Sequence, residues 1–163
     1  MKLERLDQNQ WERLRDIRLL ALKESPEWFA ALYENESRRP DSVWQSEAET
    51  AHWRAITENG KDIGLMAVAA AEAIRESDCW LFSCWIDPSF RGRGLMRMII
   101  DELDAICEEQ EWMIQGLGVW PHNIRAIKSY EKFGFVKSGE PKPSRSRPDQ
   151  LFQPMFRRRP NSD

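Results

Sequence analysis

The sequence predicts an α/β protein with a mixed central sheet of about six to seven strands flanked by about four helices, and three features carry that expectation. Asn59-Gly60, the preferred pair for a tight hairpin turn, separates two strand-like runs at residues 52–58 and 61–71. An aromatic and apolar run at 79–86 is followed by a helical pattern at 94–110 and another strand-like run at 112–120. A right-handed crossover of this kind leaves its two strands parallel or nearly so. Gly134 stands where a helix over 123–133 needs a C-terminal cap before residues 135–137 extend again.

Residues 2–6 read as a first strand. Asp7 or Asn9 then caps a helix whose apolar positions Trp11, Leu14, Ile17 and Ala21 recur at helical spacing, ending near Glu24. Ser25-Pro26 reads as an N-cap and first-turn proline that open a second helix through Trp28, Ala31 and Leu32, broken at Arg39-Pro40-Asp41. The run 79–86 stops at Asp87-Pro88, because proline has no N–H with which to continue strand pairing. Within 94–110, Leu95, Met98, Ile99, Leu103 and Ile106 form one apolar stripe, with Asp101, Glu102 and Glu108 outside it. A Pro- and Ser-rich loop at 141–148 precedes a last extended run at 150–157.

The 163 residues fit one domain, taken as 1–160, and 41% hydrophobic with 31% charged residues is the composition of an ordinary globular protein. No apolar stretch approaches the ~20 residues that span a bilayer, and no basic-then-apolar leader opens the chain, so neither membrane insertion nor export is expected. Cys79, Cys84 and Cys107, an odd number without CxxC spacing, support neither a disulfide framework nor a metal site, and a cytoplasmic location is the expectation. A formal charge of -3 argues against a general nucleic-acid binder, although Arg157-Arg158-Arg159 form a local basic cluster.

Chemistry concentrates between Ile86 and the helical stripe. In Arg91-Gly92-Arg93-Gly94-Leu95-Met96, two glycines let the backbone turn its N–H groups toward one point at a helix N-terminus, which suits a phosphate group. Arg91, Arg93 and Arg97 add positive charge. On their own these residues also describe a glycine-rich turn with solvated arginines. A Walker loop is absent, since no GxxxxGK precedes Ser or Thr, and a dinucleotide fingerprint needs glycine where Arg97 stands.

The run Trp-Ile-Asp-Pro-Ser-Phe-Arg-Gly-Arg-Gly-Leu at 85–95 resembles the signature of the GNAT superfamily of N-acetyltransferases, a strand end and short turn followed by Q/R-x-x-G-x-G/A opening a helix. Asn123, Ala126, Tyr130 and Gly134-Phe135 resemble its second landmark, N-x-x-A-x-x-x-Y-x-x-x-G-F, and residues 18–29 look like the two N-terminal helices of many bacterial members. Met96 departs from the Gly or Ala that closes the first motif; its side chain is expected to point away while its amide binds. The resemblance implies a GNAT-like (acyl-CoA N-acyltransferase) fold whose fourth and fifth strands splay, with the pantetheine arm of acetyl-CoA in the wedge. It places cofactor contacts on Cys84, Trp85, Ile86, Arg91, Gly92, Arg93, Gly94, Leu95, Met96, Arg97, Asn123, Ala126 and Tyr130. It also makes a backbone N–H at Trp85 or Ile86 the donor to the thioester oxyanion, and Tyr130 the general acid toward the departing thiolate. For Tyr130 a core aromatic at helical spacing after Ile127 stays open.

The acceptor is an amine of unspecified kind, a small molecule or a peptide. Some relatives carry a glutamate four residues before the position of Cys84, where this chain has Trp80. Glu34, Glu72, Glu76, Asp78 and His122 are the remaining candidates for taking the amine's proton, whereas His52 reads as structural. Trp28, Trp44 and Trp53 lie in segments that line the acceptor cleft in relatives, where indoles would hold an apolar or cationic amine unless they simply build the core. No metal is implied, and a homodimer is the assembly frequent in the family. Two other readings remain: an acetyl-CoA-binding sensor or partner module without turnover, and a phosphate-binding interaction protein using the Arg-Gly turn for a nucleotide or RNA.

Overall fold

Eight strands make up the sheet in the computed structural model, which describes residues 1–161. Strands β1 (Lys2–Leu6), β2 (His52–Glu58), β3 (Lys61–Ala70) and β4 (Cys79–Ile86) pair antiparallel in that order. Strand β5 (Ile114–Val119) joins β4 in parallel, and β8 (Leu151–Arg158) returns antiparallel to β5. Two-residue strands β6 (Val136–Lys137) and β7 (Lys142–Pro143) both pair with β8, which brings the count to one more than the sequence suggests.

Helices cover both faces. On one side α1 (Trp11–Glu24) and α3 (Asp41–Thr50) bury Leu14, Ile17, Leu22 and Ala48 against Trp53, Leu65 and Trp85. On the other, α4 (Leu95–Glu109) and α5 (Ile124–Glu131) bury Ile99, Leu103, Ile106 and Ile127 against Ile56, Met66, Leu81 and Leu117. Strand alternation makes this division: Leu65 and Ala67 of β3 face the first cluster, Met66 and Val68 the second. The three cysteines are free, and the Cys79 and Cys107 sulfurs lie 3.4 Å apart in the core.

Two helical expectations are corrected. Ser25-Pro26 opens only a single 3-10 turn, Pro26–Trp28, after which Phe29 is extended at φ -112° and ψ 144°, and a separate short α2 (Tyr33–Glu36) follows. The extended backbone puts the Phe29 ring 5.2 Å beneath the Arg18 guanidinium and buries it, a placement a continuous helix through Ala31 and Leu32 would forgo. Helix α3 begins directly after Pro40, so the proline expected only to break a helix also opens one. Its signals were Asp41 in the first turn and the buried pair Trp44 and Ala48, four residues apart. Trp44 and Trp53 are both 1% exposed, so these two indoles are core.

The pairing of β4 with β5 is short: Cys79↔Gln115, Trp80↔Gly116 and Leu81↔Leu117. Asp78 clamps that end, accepting from the Met113 and Ile114 amides at 2.7 Å each. Beyond Leu81 the strands separate. There Ser83 and Cys84 together oppose Met66, with Ser83 at φ 55°, a bulge that bends β4 and leaves its far half unpaired on the β5 side.

Candidate active site

Two cavities meet in the gap between β4 and β5. One of about 850 Å³ runs from the gap to the start of α4, and one of about 470 Å³ lies toward β8 and the loop around Ser144. Trp28, Phe29, Cys84, Asn123, Ala126 and Tyr130 border both.

The larger cavity ends on the glycine turn. Gly92 at φ 79° and Gly94 at φ 80° take the left-handed conformation that ordinary residues avoid, and α4 starts at the next residue. Among the described residues, none of the five consecutive amides from Gly92 to Met96 donates a hydrogen bond to the protein. Arg91, Arg125, Lys128 and Lys132 stand on the cavity wall, and no described Asp or Glu does. Unpaired amides at a helix start, inside a cavity walled by cations, fit a diphosphate.

The structure redistributes the expected site residues. Gly92, Gly94, Leu95 and Met96 border the larger cavity, and Met96 also packs half-buried against the core. Arg93 lies over the Phe90 ring at 4.9 Å and reaches toward Glu58 at 3.8 Å, and Arg97 lies over Phe133 at 5.0 Å; neither side chain reaches the cavity wall. The wall carries Arg125, Lys128 and Lys132 instead, on and after α5 and outside the glycine motif. The signal was present, since Lys128 and Lys132 are one helical turn apart behind the Asn123 cap. Asn123 itself accepts from the Ala126 amide at 3.2 Å.

Strand geometry orients Ile86. The Asp87 amide donates to the Ile63 carbonyl at 2.8 Å, so it points toward β3. Successive backbone groups of a strand point to opposite edges, which turns the Ile86 amide toward the gap and the Trp85 amide toward β3. The Ile86 carbonyl, on the gap side, accepts from Arg91 Nε at 2.9 Å.

Across the gap, the Tyr130 hydroxyl meets the Cys84 thiol. Burial pushes the phenol well above its ordinary range, with Cys84 adding to the effect, and burial likewise pushes the thiol up to about 12. Both groups therefore stay protonated near neutrality. A buried neutral thiol is a poor nucleophile, so Cys84 is not equipped to carry an acyl group. The Tyr130 ring is fixed edge-on against Phe135 at 5.8 Å.

None of the carboxylates considered as bases borders either cavity. Glu72 pairs with Arg145 at the exposed surface, Asp78 is spent on the β5 amides, and Glu34 and Glu76 are exposed. His122 does border the larger cavity, its ring 5.7 Å from Trp28, whereas His52 packs edge-on against Trp112 at 5.9 Å, away from both. The terminal basic cluster is partly committed: Arg157 pairs with Asp104 at 3.0 Å and Arg159 donates to the Trp112 carbonyl at 3.3 Å. No described helix is long and apolar enough to cross a membrane, and no described group of side chains has metal-ligand geometry.

Residues 10–135 match the family described as "Acetyltransferase (GNAT) family". A curated relative, the uncharacterized N-acetyltransferase YdgE of Bacillus subtilis (strain 168), is 25% identical over 84 residues, which is 52% of this chain and 54% of that protein, so the match spans about half of its length. Among solved structures, yncA of Salmonella typhimurium, determined with its cofactor acetyl-CoA, aligns with a TM-score of 0.72 at 16% identity, covering 100% of this chain and 96% of that one. The aminoglycoside acetyltransferase AAC(6')-Ib in complex with coenzyme A aligns with a TM-score of 0.70 at 20% identity, covering 97% and 94%. At these identities the structural likeness establishes the fold.

Proposed function

The chain belongs to the GNAT family of acetyltransferases, and on that premise we propose that it is an acetyl-CoA-dependent N-acetyltransferase that transfers the acetyl group to a primary amine by direct attack. The observation that carries the reading is the parting of β4 and β5 beyond Leu81, with two cavities meeting at Tyr130 and Cys84. Acetyl-CoA supplies a thioester whose carbon–sulfur bond is exchanged for a carbon–nitrogen bond, the amine losing a proton and the thiol gaining one. The amides from Gly92 to Met96, with Arg125, Lys128 and Lys132, hold the diphosphate end. The Ile86 N–H stabilises negative charge on the carbonyl oxygen as the amine adds. Tyr130, kept neutral by burial, protonates the departing sulfur.

Thiol release from acetyl-CoA, measured across a panel of amines with acetyl-CoA binding followed in parallel, tests this. Amine-dependent thiol release supports it, and failure of acetyl-CoA to bind overturns it. One observation favours a second reading, an acetyl-CoA-binding module without turnover: among the described residues no Asp or Glu borders the smaller cavity to take the amine's proton. Binding without thiol release toward any amine would select that reading.

A further inference from the structure

The smaller cavity carries charge of one sign. Arg18, Arg75 and Arg145 stand on its wall, and among the described residues no carboxylate borders it. Two of these cations are already matched. Arg18 is held by Glu36 through two bonds of 3.1 Å, and Arg145 donates to Glu72 at 2.7 Å. Arg75 is different: its guanidinium carbon lies 4.4 Å from the Trp80 ring centroid and 5.2 Å from that of Phe152. Among the described residues it makes no hydrogen bond or ion pair. Aromatic faces hold a cation in place without neutralising it. Burial and the neighbouring Arg145 push its pKa down, and the Glu72 carboxylate, already hydrogen-bonded by Arg145, only partly offsets them.

Arg75 also rests on a rigid platform. Trp80 is packed so closely on β5 that a Cβ at Gly116 would come within 2.7 Å of its ring, and Phe152 and Phe156 meet it edge-on at 6.2 and 6.4 Å. A half-buried guanidinium held on aromatic faces, with no carboxylate hydrogen-bonded to it among the described residues, suits one anionic group on a small molecule in a cavity of about 470 Å³.

We infer that the acceptor is an amine bearing its own carboxylate, an amino-acid-type molecule, whose anion is taken by Arg75 while its nitrogen faces the gap beside Tyr130. The inference rests on the acetyltransferase reading and narrows it. One unmatched cation calls for a single negative charge, which favours a carboxylate over a phosphate dianion. A polycationic acceptor would set like charge against Arg75, and no acidic side chain among the described residues borders the cavity to receive it.

The test uses the whole protein and thiol release from acetyl-CoA. Acceptors are the common amino acids, each beside its carboxamide, together with phosphoethanolamine, spermidine, kanamycin and a short peptide. At least one free amino acid is expected to exceed its carboxamide in kcat/KM by roughly ten- to a hundredfold, the worth of a charged hydrogen bond. Arg75→Gln is expected to abolish most of that preference through KM, and Arg75→Lys to restore part of it, with acetyl-CoA binding on both variants showing that they are folded. Faster turnover of a carboxamide, a peptide, phosphoethanolamine or a polyamine overturns the inference, as does binding of acetyl-CoA with no carboxylate-bearing acceptor turned over. Failure of acetyl-CoA to bind the unmodified protein instead sinks the acetyltransferase reading, and this inference with it.

Discussion

Arg91 donates through Nε to the main-chain carbonyl of Ile86, 2.9 Å away, and through Nη2 to the Ser25 hydroxyl at 3.2 Å. The arginine that opens the glycine motif is therefore a brace: it ties the turn to the strand end that carries the proposed oxyanion donor, and to the segment walling the larger cavity. Arg91→Ala is expected to lower kcat by roughly ten- to a hundredfold, the cost of a small misplacement at the reacting centre, with a lesser change in acetyl-CoA affinity. Kinetics beside a direct binding measurement separate the two effects. A loss confined to acetyl-CoA affinity would make Arg91 a phosphate ligand instead.

Tyr130→Phe keeps the ring against Phe135 and removes only the hydroxyl that meets Cys84. The thiolate is already a fair leaving group, with a reference thiol pKa of about 8.5, so the expected loss in kcat is roughly ten- to a hundredfold. Acetyl-CoA affinity should hold. An unaltered kcat under conditions where chemistry limits the rate would remove Tyr130 from the mechanism.

The pH profile should rise and not fall again. Burial raises the Tyr130 phenol well above its usual value and puts the Cys84 thiol at about 12, so both acids stay protonated through the neutral range, and neither produces a falling limb there. The amine must instead shed a proton before it attacks; an alkylamine with a pKa of about 10.4 carries a handicap of roughly 4.6 kcal/mol at pH 7. Log kcat/KM should therefore climb with a slope near one from about pH 6 toward the pKa of the acceptor's amine, and level off above it without falling. A descending limb inside that range would contradict a protonated Tyr130 as the acid.

What the sequence made legible was what local chemistry controls. The Asn59-Gly60 hairpin, the α4 stripe and the turn at Gly92 and Gly94 are each set by residues a few positions apart, and each stands where expected. What escaped depends on the other end of the chain. Phe29 extends because Arg18 covers its ring, a contact that no helical period announces. Arg93 and Arg97 look like phosphate ligands in a linear motif, yet Phe90 and Phe133 hold them elsewhere, while Lys128 and Lys132 reach the cavity from a helix begun thirty residues downstream of Gly94. Arg75 showed no pattern at all, because its aromatic partners come from two separate strands.

Two glycine substitutions should separate the two cavities. At Gly94 an added Cβ meets no atom within 4 Å, but φ is 80°, so Gly94→Ala costs backbone strain of about 1–2 kcal/mol and reorients the amide row. Acetyl-CoA affinity should fall while the acceptor KM, measured at saturating acetyl-CoA, changes little. Gly116 lies on ordinary strand backbone, but its added Cβ would come within 2.7 Å of both the Ser77 hydroxyl and the Trp80 ring. Gly116→Ala should therefore cost roughly 1–3 kcal/mol through overpacking, lowering Tm by a few degrees. Pushing Trp80 off β5 also moves the platform beneath Arg75, so this variant should raise the acceptor KM and spare acetyl-CoA affinity. If both variants instead weakened acetyl-CoA binding to the same degree, Trp80 and Arg75 would belong to the cofactor's cavity and not to the acceptor's.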